Sequence, residues 1–495
     1  MTELKHRHKH FVAIDMGSNS FHLVIAREQD GSLQILHKEK KQVQLAQGLD
    51  ENNNLSKEAI ARGISCLKEF RLRFSELTET QVKPVATHTL RVANNAHDFL
   101  EQALDVFPYE IEIISGHEEA RLIYSGIAHN QVLKPKNLII DIGGGSTEVV
   151  IGKKITPTRL SSLKCGCVSY HERYFRTDEL TKDNFKAAII AADSELSTLS
   201  KDYLSGNWDL ALGSSGSVKA VATALKEKYQ FDHITLKSLK QLKADLIAAG
   251  HTSNITFENI DDRRKVLLPA AIAILISFFK RLNVKKLEFS PFALREGVLF
   301  ELAKIGQYHD VQMRTVDSIA RLYHIDMPHA GKVCNTAMEL FEHVADEWQL
   351  RGFARLLLFA STLHEIGIHI NSRQHHQHGG YIIQNSDLPG FSEPLQHQLS
   401  VLIRNHRKRP HLPSFDELDP ELRKSTRYIS SILRIAVLLN LGRVSLRFDF
   451  RDAKAIENKL FLTLPKNTKK NTLLINDLLR EQKSIADLGI ELHLL

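Results

Sequence analysis

Two short segments of this chain carry the same pattern of chemistry-bearing residues. Residues 11–26 read FVAIDMGSNSFHLVIA and residues 137–152 read NLIIDIGGGSTEVVIG, and the two align without a gap at an offset of 126 (137 minus 11). Ile14, Asp15, Gly17, Ser20 and Val24 fall on Ile140, Asp141, Gly143, Ser146 and Val150. Each segment is an apolar run, a turn of small residues and a second apolar run, the pattern of a β-hairpin. The turns are candidates for phosphate binding: Gly17, Ser18, Asn19 and Ser20 in the first, Gly143, Gly144, Gly145, Ser146 and Thr147 in the second. Their backbone N–H groups can converge on phosphate oxygens, and glycine lets an anion approach closely. Asp15 and Asp141 end the first strand of each hairpin, where a carboxylate suits Mg²⁺ held through water beside phosphates. One such turn is common in proteins; a duplicated one with its flanking strands points to two α/β halves facing across a cleft.

A third small-residue turn, Gly213-Ser214-Ser215-Gly216, follows an apolar strand and opens a helix from about Ser217, so it presents a helix N-terminus to an anion. Phosphoanhydride hydrolysis also needs a group that orients or deprotonates water. Glu118 and Glu119 are candidates, after the strand Ile111–Ile114 and the turn Ser115-Gly116. Neighbours on a helix point about 100° apart, so only one of them faces a cleft; a carboxylate in a first helical turn also serves as a cap and dipole partner. Arg91 is a candidate phosphate clamp through its two-pronged guanidinium, or a solvated arginine at a helix start. Arg121 serves equally well in a salt bridge within its own helix. Arg404, Arg407, Lys408 and Arg409 precede Pro410 and form either a solvated helix end or a track for a polyanion. Cys165 and Cys167 form a C-x-C pair that would share one strand face, but no second pair completes a zinc site, so the four cysteines read as reduced thiols. The G-x-x-x-x-G-K-[ST] phosphate loop is absent.

These motifs together resemble the exopolyphosphatase/guanosine pentaphosphate phosphohydrolase (Ppx/GppA) family of the actin–Hsp70–sugar kinase superfamily. The resemblance rests on Asp15-Met-Gly-Ser-Asn-Ser-Phe-His22, Thr87-His-Thr-Leu-Arg91, Ile114-Ser-Gly-His-Glu-Glu-Ala-Arg121, Asp141-Ile-Gly-Gly-Gly-Ser-Thr-Glu148, Gly213-Ser-Ser-Gly216 and Leu294-Arg-Glu-Gly297, in that order. Leu363-His-Glu-Ile-Gly367 and the segment 384–391 extend it to the long four-domain members from proteobacteria. It implies Glu119 as the water-activating base, Asp141 and Glu148 as metal ligands, Mg²⁺ or Mn²⁺ as cofactor, and a homodimer. It implies inorganic polyphosphate or guanosine pentaphosphate as substrate, with nucleic acid not expected as a partner. His88 and the triple glycine of the second turn place the chain nearer the exopolyphosphatase branch. The alternatives are a pentaphosphate-nucleotide phosphohydrolase, an enzyme with both activities, and a non-catalytic actin-like sensor.

The expected fold is a duplicated actin-like, ribonuclease H-like α/β core in two domains, 1–130 and 131–305. An all-α domain at 306–442 follows, HD-like by the family resemblance, and then a small α+β domain at 443–495. Apolar residues at three-to-four spacing predict helices over 315–323, 331–350, 352–368, 395–406 and 424–441. Residues 444–450 and 459–464 alternate like strands, Lys466, Lys469 and Lys470 mark a turn, and residues 474–482 and 490–495 read as a helix and a last strand. This cap is too small to be stable alone and should pack on the helices or on a second subunit. His364-Glu365 stands where HD-type phosphohydrolases place a metal-binding His-Asp pair, but in a chain with 25 histidines a degenerate, substrate-guiding domain is the expectation. A net charge of +7 fits a polyanionic partner. The basic, His-rich start (Lys5–His10) lacks the apolar stretch of a secretory signal, and the longest apolar run, Val266–Phe279, contains Pro269 and Ser277 and reads as a buried helix. The cytoplasm is the expected location.

Overall fold

Both hairpins form, and each opens a five-stranded sheet. The structure is a computed structural model that describes residues 9–29, 32–77, 80–303, 311–386, 388–443, 453–463 and 472–495. The first sheet contains β1 (His10–Met16), β2 (Ser20–Gln29), β3 (Ser32–Gln42), β4 (Thr80–Ala86) and β5 (Glu112–Ile113), in the order β3-β2-β1-β4-β5. The second contains β6 (Lys136–Ile142), β7 (Thr147–Lys153), β8 (Thr156–Leu163), β9 (Leu210–Ser214) and β10 (Glu288–Phe289), in the order β10-β9-β6-β7-β8. Counted from the opening strand of each half, these are the same order. The directions agree too: β1 and β6 run antiparallel to their hairpin partners and parallel to β4 and β9. The offset in sequence is therefore a duplication of topology. The opening strands lie at the centre of their sheets and are covered on both faces, which is why 11–14 and 137–142 are continuous buried runs rather than alternating ones.

One core cluster belongs to neither half alone. Phe11, Ala13 and Val24 of the first sheet meet Ile139, Val150 and Leu212 of the second through Ile123 and Tyr124 of the helix Gly116–Ala128 and Leu294 and Val298 of the helix Leu294–Ala303. These two helices touch backbone to backbone. A Cβ on Gly126 would run into the Ala293 carbonyl oxygen, and one on Gly297 into that of Leu122. Gly297 of the Leu-Arg-Glu-Gly motif is thus a packing residue. The apolar run 266–279 lies within the helix Asp262–Arg281 and is buried throughout from Leu267 to Phe279. Among the described residues no helix is long and apolar enough to cross a membrane.

The chain divides into two compact units, Met1–His309 and Asp310–Leu495, so the expected boundaries at 130 and 442 each fall inside a unit. In the second unit the expected helices appear as Val311–Leu322, Met327–Val344, Ala354–Leu363, Glu393–Asn405 and Pro420–Leu439. The expected 352–368 helix stops at Leu363, and His375–Asn385 forms a helix that apolar spacing did not announce. Its paired glycines let it lie against the helix Glu393–Asn405, since Cβ atoms on Gly379 and Gly380 would meet Ile403 and Arg404. A three-stranded sheet of β11 (Lys454–Ile456), β12 (Lys459–Leu462) and β13 (Glu491–Leu494), with the helix Thr472–Asp487, shares one core with the helices. The small cap therefore packs on the helical region. The strand expected over 444–450 and the lysine turn at 466–470 lie outside the described residues. Cys165 and Cys167 depart from expectation: the strand ends at Leu163 and Cys167 begins the helix Cys167–Tyr174. All four cysteines are buried and unpaired.

Gly297→Ala should destabilise the first unit by about 1–3 kcal/mol, the usual penalty of overpacking a tight contact. Gly331→Ala, where an added Cβ meets nothing within 4 Å, should be neutral or slightly stabilising, as alanine is in a helix interior. Denaturant melts of the two variants test the assignment; equal effects would remove Gly297 from the helix crossing.

Candidate active site

The three turns come together at a cleft of about 370 Å³ between the halves of the first unit. The hairpin turns close identically: Gly17 N–H donates to Ser20 O at 3.2 Å and Gly143 N–H to Ser146 O at 2.9 Å. Gly17, Ser18, Asn19 and Ser20 line one side and Gly143, Gly144, Gly145 and Ser146 the other. The third turn is tied to the second. Ser214 Oγ donates to Asp141, and Ser215 Oγ donates to Ile142 O at 2.8 Å. Ser215 opens the helix Ser215–Tyr229 with φ 86°, a left-handed conformation that a residue without a functional or packing reason rarely keeps. Ser215 and Gly216 line the cleft. Gly213, Ser214 and Thr147 do not. Gly213 is packed against Leu287 and Val218, Ser214 is spent on Asp141, and Thr147 Oγ1 donates to Cys165 O.

Four carboxylates converge at this place. Asp15 and Asp141 line the cleft from the ends of β1 and β6. Glu148, opposite Asp141 across the hairpin, is fully buried; Ser162 Oγ donates to its Oε1 at 2.9 Å, while its Oε2 has no hydrogen-bond partner. Glu119 enters from the helix Gly116–Ala128, whose N-cap is Ser115: its Oγ accepts from Glu118 N–H at 3.1 Å. The two neighbouring glutamates separate as helix geometry requires. Glu118 turns outward and pairs with Arg121 at 2.8 and 2.6 Å, so Arg121 takes its salt-bridge role. Glu119 turns inward and is 8% exposed. Arg91 departs from the phosphate-clamp expectation, because its Nη1 donates to Glu119 Oε2 at 3.1 Å and to Ile114 O at 2.8 Å. It positions Glu119 and is not among the residues lining the cleft.

Burial sets the electrostatics. It pushes Asp15 and Asp141 up to about 6, with Arg295 opposing the rise in both and the Ser214 hydrogen bond opposing it at Asp141. It pushes Glu148 to about 7, and the charge of Asp141 adds to the rise. Burial, then Glu148, hold Glu119 well above the usual carboxylate range against the pull of Arg91. Burial outweighs the pull of Arg295 and Arg91 on these carboxylates. An all-oxygen set with a buried, unpartnered Glu148 oxygen fits a hard divalent cation such as Mg²⁺ or Mn²⁺.

Cations occupy other parts of the lining. Lys40, Lys219, Arg264 and Arg295 reach the cleft, and none of the four is in an ion pair among the described residues. Arg295 Nη1 lies 2.9 Å from His22 Nδ1. A Cβ on Gly216 would strike the Arg264 guanidinium, which gives that glycine its reason. Sequence reasoning passed over Lys40, Lys219 and Arg264, which have no local signal. His22 had one: it stands at the repeat position of Glu148, facing Asp15 as Glu148 faces Asp141. His88 and the triple glycine, read separately, form a single contact, because a Cβ on Gly145 would overlap the His88 ring. They therefore count once.

In the second unit the basic run does not form one exposed strip. Arg404 and Arg407 are half-buried; Arg407 Nη1 lies 3.3 Å from His375 Nδ1, and Arg409 Nε pairs with Asp487 at 3.3 Å. The helix ends at Asn405, so Arg407, Lys408 and Arg409 lie beyond it, and only Lys408 and Arg409 are exposed.

Residues 24–305 match the model of the Ppx/GppA phosphatase family, and residues 311–482 match that of Ppx/GppA phosphatase, domain III. The chain belongs to the Ppx/GppA phosphatase family. It is accordingly a hydrolase of phosphoanhydride bonds. It is 38% identical to the guanosine-5'-triphosphate,3'-diphosphate pyrophosphatase of Photobacterium profundum, over 92% of this chain and 91% of that protein. It is 36% identical to the protein of the same name from Pseudoalteromonas atlantica, over 88% of each. Among solved structures, the Aquifex aeolicus Ppx/GppA family member is 28% identical with a TM-score of 0.53, covering 61% of this chain and all of that one. An exopolyphosphatase from Cytophaga hutchinsonii, 24% identical with a TM-score of 0.55 over 60% of this chain and all of its own, shares the fold. Membership of the family and the two matching sheets make the first unit a duplicated actin-like core.

Glu119→Gln should lower turnover by about 10²–10⁴, the range typical of a lost general base, with the Michaelis constant nearly unchanged. Steady-state kinetics decide it, and wild-type turnover would remove Glu119 from the chemistry. The raised carboxyls also set a pH dependence. A group protonated more readily in the folded state contributes its full stability below its unfolded pKa and loses it as pH rises through the folded value. With Asp15 and Asp141 at about 6 and Glu148 at about 7, the chelator-treated protein should lose stability between about pH 5 and 8. The rise in melting temperature on adding Mg²⁺ should grow over the same window. A gain independent of pH would place the metal elsewhere.

Proposed function

We propose that this chain is a guanosine pentaphosphate 5'-phosphohydrolase that releases orthophosphate from the 5'-triphosphate end and leaves guanosine tetraphosphate. The observation that carries this reading is the likeness to two proteins of that activity over about nine-tenths of the chain. It reverses the order given by the sequence motifs, which put exopolyphosphatase first. His88 and Gly145, the cues for that order, are one packing contact inside a cleft whose chemistry serves either substrate.

The hairpin turns and the Ser215-Gly216 turn cradle the terminal phosphates with backbone N–H groups. Asp141 and Glu148, with Asp15 beside them, would hold Mg²⁺ or Mn²⁺, which would neutralise charge on the phosphoryl oxygens. Glu119, held by Arg91, orients a water and accepts its proton as the new oxygen–phosphorus bond forms and the bridging oxygen–phosphorus bond breaks. The proton affinity that burial confers on Glu119 suits a base working near neutral pH. Lys40, Lys219, Arg264 and Arg295 supply unpaired positive charge for the phosphates that are not cleaved. A guanidinium offers two donors to each phosphate it meets.

The deciding measurement is kcat/KM for guanosine pentaphosphate against that for long-chain polyphosphate. The pentaphosphate should be favoured by at least about tenfold, a difference of about 1.4 kcal/mol in transition-state binding. Equal or greater efficiency on polyphosphate would restore the exopolyphosphatase reading. Lys408→Ala combined with Arg409→Ala should leave pentaphosphate hydrolysis unchanged, because a substrate this short needs no remote track.

A further inference from the structure

The second unit gathers five histidines that phosphate hydrolysis in the cleft does not use. His329, His364, His375, His376 and His406 are each less than a tenth exposed. Their rings form a connected cluster, with centroids 5.6 Å apart for His329–His364, 5.4 Å for His364–His406 and 5.2 Å for His375–His406. A buried imidazole normally satisfies both ring nitrogens, because an unmet polar atom in the interior costs free energy. Several here do not. His364 Nδ1 donates to Ser361 O at 2.7 Å, which fixes the tautomer and leaves Nε2 as a lone pair; that Nε2 is buried and has no hydrogen-bond partner. His329 Nδ1 is also buried and unpartnered, and its Nε2 lies 3.9 Å from Glu365 Oε1.

Lone pairs aimed at one point are what a metal ion needs. One donor atom from each of His329, His364 and Glu365 lies within 4.8 Å of the other two. The backbone carbonyl behind His364 is the usual partner that orients a ligating imidazole. The adjoining pair repeats the arrangement: His406 Nδ1 donates to Ile403 O at 2.7 Å and His375 Nδ1 to Ser372 O at 3.0 Å. Their two Nε2 atoms face each other at 3.2 Å, and the Arg407 guanidinium stands beside them, its Nη1 3.5 Å from His375 Nε2. Glu365 meanwhile accepts from Arg443 Nη2 at 2.9 and 3.1 Å, and Arg443 also pairs with Asp326 at 2.6 Å. Arg443 is half-exposed, and its charge neutralises the carboxylate.

We propose that His329, His364 and Glu365 form a site for one divalent first-row transition ion, with His375 and His406 beside it. Two imidazoles and one carboxylate favour a borderline ion such as Zn²⁺ or Co²⁺ over Mg²⁺, and three protein ligands leave a coordination position for water or an anion. The two units then take different metals: a hard ion among the carboxylates of the cleft, a nitrogen-seeking ion among the helices.

The full-length protein, stripped with chelator and held in excess Mg²⁺ to occupy the carboxylate cleft, is titrated with Co²⁺ and read by its visible d–d absorption. One Co²⁺ per chain should bind with a nitrogen-ligated spectrum and be displaced by Zn²⁺. His364→Gln and Glu365→Gln should each weaken binding by at least about tenfold, since even outer partners of such ligands are worth that much. Melting curves report whether each variant folds, and Glu365→Gln, at the less buried ligand, keeps the test open if His364→Gln does not. Unchanged Co²⁺ binding in a folded variant would overturn the site, the ion then belonging to His6, His8 and His10 near the N-terminus. Loss of binding in His375→Gln or His406→Gln but not in His364→Gln would overturn the ligand assignment. Absence of stoichiometric binding in the unaltered protein would overturn the proposal outright.

Discussion

Four carboxylates buried at one point are the constraint around which the first unit is built. Asp15, Asp141, Glu148 and Glu119 would repel one another and suffer a desolvation penalty if all were ionised without a partner. Their protons are held more tightly for that reason. Such a site requires rigid elements that fix each group. The hairpins provide the first two acids at the ends of central, fully covered strands. Glu148 follows by cross-strand register, and Glu119 comes from a separate helix whose first turn is fixed by the Ser115 cap.

Other features of the unit follow from holding these groups at hydrogen-bond precision. Arg91 anchors Glu119 from the neighbouring helix, and Ser214 and Ser162 steady Asp141 and Glu148. The helices Gly116–Ala128 and Leu294–Ala303 cross through Gly126 and Gly297, which brings Glu119 and Arg295 to the same cleft. The duplication has diverged where the chemistry is asymmetric. One hairpin sets Glu148 against Asp141; the other sets His22 against Asp15, and burial and the Arg295 charge keep that histidine's pKa well below its ordinary value. One hairpin thus pairs two acids across its strands, and the other pairs an acid with a neutral ring beside Arg295.

The helical unit solves a different packing problem with different donors. Its histidines are buried among apolar helices, several with one ring nitrogen tied to a backbone carbonyl and the other left facing its neighbours. The glycine pair at 379 and 380 lets the helix carrying His375 and His376 approach the one that leads to His406. Nitrogen donors in the buried cluster and oxygen donors in the cleft differ in ligand softness.

The sequence by itself determined the duplication, the hairpins, the three turns and the choice between two adjacent glutamates as a question. These are local properties: strand periodicity, small residues in turns and the helical step of about 100° all act over a few residues. It also carried the family, because motif order survives when structure is unseen. What it left undecided depends on contacts between distant segments. Only the tertiary structure shows that Glu119 rather than Glu118 turns inward, that Arg91 holds it across a separation of 28 residues along the chain, and that Gly213 and Thr147 belong to packing. Lys40, Lys219 and Arg264 are unremarkable in sequence and become neighbours only by lining one cavity. The basic run at 404–409 is continuous in sequence, and only the structure shows that Arg404 and Arg407 are half-buried while Lys408 and Arg409 are exposed. His329 stands 35 residues from His364 (364 minus 329), and nothing in local spacing joins them; the packing of two helices does.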